Sequence, residues 1–372
     1  MENIAELAAR AQGLDGVIPL WYGEGDLVTP PFVRDAAVAA LAAGRTFYVP
    51  DMRGNAELVA ALSAYQTRLH GRRIGPERST VTPGGMQSVL LAMALVCDLG
   101  TNIVYLEPQW PNIHNCIHLA GGEPRPVPMG LDDRGWRLDL DRLFARCDAR
   151  TRAIMFSSPA NPHGWTATPE ELAALLAFSR ERGIWLIADE VYARLYWEAD
   201  AAPSLLQVAE ADDLVLCVNS FSKAWAMTGF RVGWLNHPGA VSKQVGALTQ
   251  YMNSGTADFI QVAAAAALNE GEDFARMMRE RCRSGLLQAY ARLGENPAVR
   301  LPPMPPGGMY VFFRIDGQAN SRAACLDVLE RARVGLAPGA LFGATASAYL
   351  RMCVARDPAQ LATALDRMAA LT

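Results

Sequence analysis

Residues 220–231 bring together a lysine, an arginine and two serines, namely Lys223, Arg231, Ser220 and Ser222. They follow an apolar run, residues 214–218, that is typical of a buried strand. An amine at the end of a strand, beside groups that could hold a phosphate, indicates a lysine used for covalent chemistry. Taken alone, the stretch is equally compatible with a surface loop that carries an ordinary solvated lysine.

A second candidate for phosphate binding is the tripeptide Gly84-Gly85-Met86. From Met86 onward, apolar residues such as Val89 and Met93 follow helical spacing, so the two glycines are predicted to open a helix. Backbone N–H groups at the start of a helix, together with the helix dipole, suit a phosphate. A tight loop that only leads into a helix is the alternative.

The middle of the chain alternates predicted strands and helices. Apolar runs at 102–106, 153–156, 184–188 and 214–218 are typical of buried strands, and a capping box starting at Thr168 predicts the start of a helix. This alternation predicts an α/β fold with a mostly parallel sheet covered by helices on both faces. Sites in such sheets lie beyond the carboxyl ends of the strands. We therefore expect the residues that follow four of these ends to converge: Trp110, Asn161, Asp189 and Lys223.

The C-terminal part has a different pattern. A long connecting helix near 272–293 precedes a strand at 309–315, a helix at 322–332, a strand at 349–354 and a final amphipathic helix. This is an α+β arrangement, distinct from the alternation before it. We predict a large domain of residues 33–280 and a smaller α+β domain formed by residues 1–32 and 281–372.

Composition excludes several classes of function. The chain has 372 residues, a net charge of −4 and 51% hydrophobic residues, and it contains no basic block, so nucleic-acid binding is not expected. Seven scattered cysteines, never in a C-x-x-C pair, predict neither a disulfide framework nor a metal site and favour a reducing compartment. There is no signal-peptide pattern and no apolar run of membrane-spanning length. We expect a cytoplasmic protein with no membrane partner.

Four motifs in order carry a resemblance to a known family: N-P-x-G at 161–164, D-E-V-Y at 189–192, S-F-S-K at 220–223 and G-F-R-V-G at 229–233. The chain resembles the class I and II aminotransferases, which are fold-type I pyridoxal-phosphate enzymes similar to aspartate aminotransferase. Matching residues extend from 19 to 353. The resemblance implies a large domain that binds pyridoxal 5′-phosphate. It also implies transfer of an amino group from an L-amino acid to a 2-oxo acid through an internal aldimine on Lys223.

The resemblance implies roles for the residues around the cofactor. Lys223 would be the catalytic base and acid that moves the α-proton. Asp189 would pair with the pyridine nitrogen, while Asn161 and Tyr192 would hydrogen-bond the phenolic oxygen of the ring. Trp110 would stack on the ring face. The groups that would hold the phosphate are Gly84, Gly85, Met86, Ser220 and Arg231.

Further residues are implied in substrate binding. Arg351 would clamp the α-carboxylate in a bidentate manner, with Gly23 and Asn161 beside it. Trp21 and Tyr22 would flank the pocket and would favour an apolar or aromatic substrate side chain.

Tyr48 resembles the tyrosine that reaches the phosphate of the neighbouring subunit, which implies a homodimer with shared active sites. The chain also departs from the family pattern. Met86 stands where many relatives carry a small hydroxyl or a lysine, and no Arg or Lys lies between Gln244 and Arg276. A strict dicarboxylate enzyme is therefore not supported. His163 stands where the family often has threonine, and its role is open.

Other functions use the same machinery or the same fold. β-Elimination, as in the related carbon–sulfur lyases, and amino-acid decarboxylation are the enzymatic alternatives. A transcriptional regulator of this fold would carry a winged-helix domain, whereas only about twenty residues precede the N-terminal arm, an irregular segment predicted at residues 18–26. A catalytically silent scaffold is disfavoured by the presence of Lys223 and Asp189. The donor, the acceptor and the pathway are not specified by the sequence.

Overall fold

The computed structural model describes residues 4–370. The helices in this range are α1 Ile4–Ala11, α2 Pro31–Ala42, α3 Ala56–His70, α4 Gly85–Val96, α5 Pro111–Leu119, α6 Leu140–Ala145, α7 Pro169–Arg182, α8 Leu205–Val208, α9 Ser242–Asn253, α10 Asp258–Glu270, α11 Glu272–Gly294, α12 Ser321–Ala332 and α13 Pro358–Ala369. The strands are β1 Ile18–Pro19, β2 Ser79–Thr82, β3 Asn102–Glu107, β4 Glu123–Pro128, β5 Gly130–Asp132, β6 Gly135–Arg137, β7 Thr151–Ser157, β8 Trp185–Asp189, β9 Val215–Ser220, β10 Gly233–Asn236, β11 Val299–Arg300, β12 Tyr310–Ile315, β13 Val334–Gly335, β14 Ala337–Pro338 and β15 Tyr349–Cys353.

A seven-stranded sheet with the order β2-β10-β9-β8-β7-β3-β4 forms the centre of the molecule. The five strands β9, β8, β7, β3 and β4 are parallel to one another. Strand β10 is antiparallel to both of its neighbours, β2 and β9. Successive residues such as Ile154 and Met155 enter separate cores on opposite faces of the sheet, so its strands are apolar on both sides. The predicted α/β architecture is confirmed.

Helix α7 shows how local sequence sets the boundaries of an element. Thr168 accepts a hydrogen bond from the Glu171 N–H, and the Glu171 side chain accepts one from the Thr168 N–H, which closes the predicted capping box. The helix ends at Gly183, whose φ of 63° is left-handed and therefore favours glycine. Strand β8 begins two residues later and carries the chain to Asp189.

The C-terminal part forms a four-stranded antiparallel sheet with the order β11-β12-β15-β14. Helices α11, α12 and α13 contribute Leu286, Val328 and Leu361 to one core with Val311 and Phe313 of this sheet. The N-terminal segment, predicted as an irregular arm, joins this part through β1, which pairs with β13. The predicted boundary between residues 280 and 281 falls inside α11, and the division into domains stays a prediction.

The carboxyl ends of the parallel strands all lie at the same end of the large sheet. Strand β8 ends at Asp189 and β9 ends at Ser220, while α4 begins at Gly85 shortly after β2. Arg351 lies in the middle of β15, in the smaller sheet. None of the helices between residues 4 and 370 is both long enough and apolar enough to span a membrane.

Candidate active site

A cavity of about 310 Å³ lies at the carboxyl edge of the large sheet, where β15 and the N-terminal segment meet it. It is lined by the four residues expected to converge there, which are Trp110, Asn161, Asp189 and Lys223. Four separate stretches of sequence therefore meet in one place. This convergence is the arrangement that a parallel sheet imposes on residues at its strand ends.

Lys223 follows β9 in the turn that leaves the large sheet. Its Nζ donates a hydrogen bond to the carbonyl oxygen of Gly23 at 2.5 Å and lies 5.9 Å from the centre of the Tyr192 ring. Burial, helped by the positive charges of Arg351 and Arg231, lowers the pKa of Lys223 to about 8. A neutral, nucleophilic amine is therefore accessible near neutral pH.

Asp189 is the last residue of β8 and only 8% exposed. Its Oδ1 accepts a hydrogen bond from the backbone N–H of Val191 at 3.2 Å. Burial raises the pKa of Asp189 to about 6. No cationic side chain of the described residues forms an ion pair with this carboxylate. The site thus contains a buried carboxyl group that is suited to a cationic or proton-donating ligand.

Arg351 is completely buried. The ring centres of Tyr310 and Phe342 lie 4.4 and 4.8 Å from its Cζ, so aromatic groups pack closely around the guanidinium. Nη1 donates to Oδ1 of Asn161 at 2.9 Å, Nη2 donates to the carbonyl oxygen of Trp21, and Nε has no hydrogen-bond partner among residues 4–370. Within residues 4–370 it has no acidic partner, although an unpaired buried charge is costly. The guanidinium is therefore prepared for an anion.

Tyr310 is a lining residue that the sequence prediction did not include. Its hydroxyl lies 2.7 Å from the hydroxyl of Tyr192, and burial raises the pKa of Tyr310 to about 12. Both phenols are therefore neutral at physiological pH. The one signal in the sequence is a tyrosine directly after Gly307-Gly308-Met309, and its inward orientation depends on the pairing of β12 with β15.

The opposite end of the cavity contains the groups expected to hold a phosphate. Gly84 has a φ of 88° and precedes α4, and no side chain caps this helix. The N–H groups of Gly85 and Met86 have no protein acceptor in the described part of the chain. A Cβ on Gly84 would lie 2.3 Å from Nη2 of Arg231, and this close approach together with the left-handed φ favours glycine at the position. The hydroxyl of Ser220 donates to that of Ser222 at 2.9 Å.

Two of the expected residues lie elsewhere. Tyr48 is 82% exposed and does not line the cavity of its own chain. The indole of Trp21 is only 4% exposed and packs on Gly335, where a Cβ would lie 2.0 Å from the ring. The expected contact of the Trp21 ring with the pocket is replaced by the contact of its backbone carbonyl with Arg351. Tyr22 and Gly23 do line the cavity.

His163 has a structural environment. Its ring stacks on Trp136 with 4.8 Å between centres, Nε2 lies 3.2 Å from the carbonyl oxygen of Pro108, and Nδ1 accepts from the Trp165 N–H. Burial lowers the pKa of His163 to about 3, so the ring is neutral. It does not line the cavity. Among residues 4–370, no three His, Cys, Asp or Glu side chains are grouped as metal ligands.

We expect Gly23→Ala to destabilise the protein by about 1–3 kcal/mol, because the new Cβ would overpack the site. That atom would lie 2.1 Å from the hydroxyl of Tyr310 and would force this hydroxyl away from Tyr192. Urea unfolding of the cofactor-free protein measures the effect. Gly13→Ala is the matched control, since its added Cβ would meet no atom within 4 Å.

The same contact predicts a coupling between two positions. Tyr310→Phe removes the hydroxyl, so the double variant Gly23→Ala/Tyr310→Phe should be more stable than the sum of the two single effects predicts. Strictly additive effects would show that the hydroxyl of Tyr310 does not limit the space beside Gly23.

The chain is similar in sequence and in fold to known proteins. The sequence profile of the family Aminotransferase class I and II matches residues 16–368. A probable aspartate/prephenate aminotransferase of Thermus aquaticus is 32% identical, over 99% of this chain and 94% of its own length. Aromatic-amino-acid aminotransferase 2 of Thermococcus litoralis is 30% identical, over 98% and 94%. The crystal structure of aspartate aminotransferase from Thermotoga maritima superposes with a TM-score of 0.93 at 29% identity, covering 100% of this chain and 97% of that one.

Proposed function

Because the chain belongs to the family of class I and II aminotransferases, we propose that it transfers the amino group of an L-amino acid to a 2-oxo acid with Lys223 as its catalytic amine. The chain is a pyridoxal-phosphate-dependent transaminase. Its relatives described above are named aminotransferases, so β-elimination and decarboxylation are not favoured. The observation that carries the role of Lys223 is its buried amine, which lines the same cavity as Asp189 and Arg351.

The residues at the site fit pyridoxal phosphate. The buried carboxyl group of Asp189 lacks a cationic partner among residues 4–370 and suits the protonated nitrogen of a pyridine ring. The open N–H groups of Gly85 and Met86, with Ser220 and Arg231, suit the phosphate. Trp110 supplies an aromatic face, and Asn161 and Tyr192 supply hydrogen-bonding groups for the phenolic oxygen; all three line the cavity.

When bound, pyridoxal phosphate supplies a carbonyl carbon that accepts the amino group and a ring that withdraws electrons from the substrate α-carbon. The remaining work falls to the protein. Arg351 binds the α-carboxylate of the substrate, and Asn161, already hydrogen-bonded to Arg351, fixes the position of this guanidinium. Lys223 removes the proton from the α-carbon and returns a proton in the second half of the reaction. Asp189 would hold the ring nitrogen of the cofactor in its protonated form.

The experiment that tests the function separates the two half-reactions. Purified holoenzyme incubated with a single amino acid should convert its cofactor to the pyridoxamine form, with release of the matching 2-oxo acid. Addition of a different 2-oxo acid should then restore the original absorbance. Release of pyruvate and ammonia without an acceptor would instead identify an eliminating lyase, and release of carbon dioxide would identify a decarboxylase.

A pH dependence follows from the lowered pKa of Lys223, which is about 8 against the ordinary value of 10.5. The neutral amine is the reactive form, so cofactor uptake by the cofactor-free protein should become roughly tenfold faster between pH 7 and 9 and then level off. Stopped-flow absorbance measures this rate. Nα-acetyl-lysine, the control amine, should still accelerate up to about pH 10. A protein profile that also rises to pH 10 would contradict the lowered pKa.

We also propose a homodimer with shared active sites. The support is Tyr48, which is largely exposed and does not line the cavity of its own chain, so its ring is available to a neighbouring subunit. Residues 33–280 are proposed as the cofactor-binding domain, and the remainder as the smaller domain. A cytoplasmic location is proposed from the seven cysteines, which are scattered along the sequence and never form a C-x-x-C pair.

A further inference from the structure

The charged residues that line the cavity limit the substrates it can accept. Only three cationic side chains line it within the described chain: Lys223, Arg231 and Arg351. Two acidic side chains, Glu24 and Asp189, also line it. In the proposed function, on which this inference rests, each of the three cations already has a partner.

Arg351 has room for a single carboxylate. The ring centres of Tyr310 and Phe342 lie 4.4 and 4.8 Å from its Cζ, so aromatic groups limit the space around the guanidinium. Two of its donors are already in use, since Nη1 donates to Asn161 and Nη2 donates to the carbonyl oxygen of Trp21. Once the remaining donors hold the α-carboxylate of a substrate, the guanidinium has no capacity for a second carboxylate.

Arg231 is fixed at the phosphate end of the cavity. Its backbone is left-handed, with a φ of 53°, and its Nη1 donates to the carbonyl oxygen of Thr228 at 2.7 Å. Its Nη2 lies 2.3 Å from the position that a Cβ on Gly84 would occupy. In the proposed function, the guanidinium of Arg231 therefore binds the phosphate, and the amine of Lys223 takes part in the covalent chemistry. Neither group is available to pair with a charged side chain of the substrate.

The rest of the wall offers no substitute. Met86, Val89 and Val191 present thioether and aliphatic groups, and Tyr22 presents an aromatic ring. The remaining charged group is the carboxylate of Glu24, which accepts a hydrogen bond from the hydroxyl of Thr228. A second substrate carboxylate would lose water and meet apolar groups, neutral polar groups such as the hydroxyl of Thr228, and a negative charge, and no cation would remain to pair with it.

A neighbouring subunit would not supply an unpaired cation through the Tyr48 loop, which comprises residues 43–55 between α2 and α3. The arginines on either side of Tyr48 are held by carboxylates of their own chain. Arg45 pairs with Asp258 at 2.7 Å and with Glu57 at 3.0 Å. Arg53 pairs with Asp51 at 2.7 Å. The loop proposed to cross the dimer interface therefore brings a phenol without a spare guanidinium.

We infer that the enzyme accepts amino acids and 2-oxo acids with uncharged, largely apolar side chains and excludes dicarboxylates. This specificity differs from that in the names of the aspartate aminotransferases to which the chain is similar. The expected discrimination in kcat/KM is at least roughly a hundredfold, because a buried carboxylate would be left without a partner.

The test compares two unreactive acids of similar length on the pyridoxal form of the holoenzyme. Spectral titration gives the dissociation constants of 4-methylvalerate and glutarate, and turnover gives kcat/KM for 4-methyl-2-oxovalerate and 2-oxoglutarate. We expect 4-methylvalerate to have a lower dissociation constant than glutarate, and 4-methyl-2-oxovalerate to have a higher kcat/KM than 2-oxoglutarate. Glutarate binding as tightly as 4-methylvalerate, or efficient turnover of 2-oxoglutarate, would overturn the inference. A preference for lysine or arginine as donor would overturn it as well.

Substitution of Met86 tests the electrostatic explanation directly. Met86→Lys adds an ammonium group to the cavity wall and should narrow the gap between the two dissociation constants by tenfold or more, whereas Met86→Leu should leave the gap as it is. An unchanged gap in Met86→Lys, with the cofactor band intact, would contradict the explanation. Because binding is measured separately from turnover, an inactive enzyme that still prefers 4-methylvalerate would reject the proposed function and keep the inference.

Discussion

Replacing Lys223 with alanine should lower kcat for transamination by roughly 10⁴-fold or more, because one amine supplies both the covalent attachment and the proton transfer. The absorbance band of the bound cofactor should be lost or shifted at the same time. The fold should persist, because within residues 4–370 the Nζ makes only one hydrogen bond, to the carbonyl oxygen of Gly23. Single-turnover kinetics and absorbance spectra measure the two effects.

The chain offers a matched control, since Lys223 and Lys243 are its two lysines. Lys243 is exposed at the start of α9, and Lys243→Ala should keep wild-type activity. Small added amines should partly restore proton transfer in Lys223→Ala, which a merely misfolded variant would not allow. Wild-type turnover and absorbance in Lys223→Ala would show that the lysine has been wrongly assigned.

Replacing Arg351 with leucine should lower kcat/KM by roughly 10²–10³-fold, mainly through KM, because the substrate carboxylate loses a buried, charge-assisted partner. Arg351→Lys should recover only part of this loss, since an ammonium group lacks the planar, bidentate geometry of the guanidinium that packs near Tyr310 and Phe342. Steady-state kinetics with one donor and a series of acceptors measures the effect.

Arg314 provides the control for this prediction. It lies on the neighbouring strand β12, is exposed, and contacts the ring of Tyr349 instead of the cavity. Arg314→Leu should therefore leave kcat/KM close to the wild-type value. A wild-type KM in Arg351→Leu, with the cofactor bound and the unfolding midpoint unchanged, would show that the substrate carboxylate binds elsewhere.

The sequence was most informative where local patterns determine the structure. Uninterrupted apolar runs identified the central parallel strands, and the alternation of strands and helices placed Trp110, Asn161, Asp189 and Lys223 at one edge of a sheet. The capping box at Thr168 set the start of α7. These features depend on short-range periodicity and backbone chemistry, which a single sequence displays.

Features that depend on tertiary packing were missed or misjudged. Strand β4 has three prolines in six residues, and it is tolerated because it lies at the edge of the sheet, where an absent N–H costs little. Tyr310 enters the site through the pairing of two strands in the smaller sheet. Trp21 turns its ring into the core because Gly335 leaves space for it. None of these contacts has a local signature.

Reduction of the holoenzyme with borohydride, followed by proteolysis and mass spectrometry, tests the central claim most directly. Borohydride converts the bond between the cofactor and its lysine into a stable secondary amine that survives digestion. The predicted result is a single pyridoxyl modification, on the peptide that contains Lys223, with Lys243 unmodified. Modification of Lys243, or of neither lysine while the enzyme is fully active, would contradict the account.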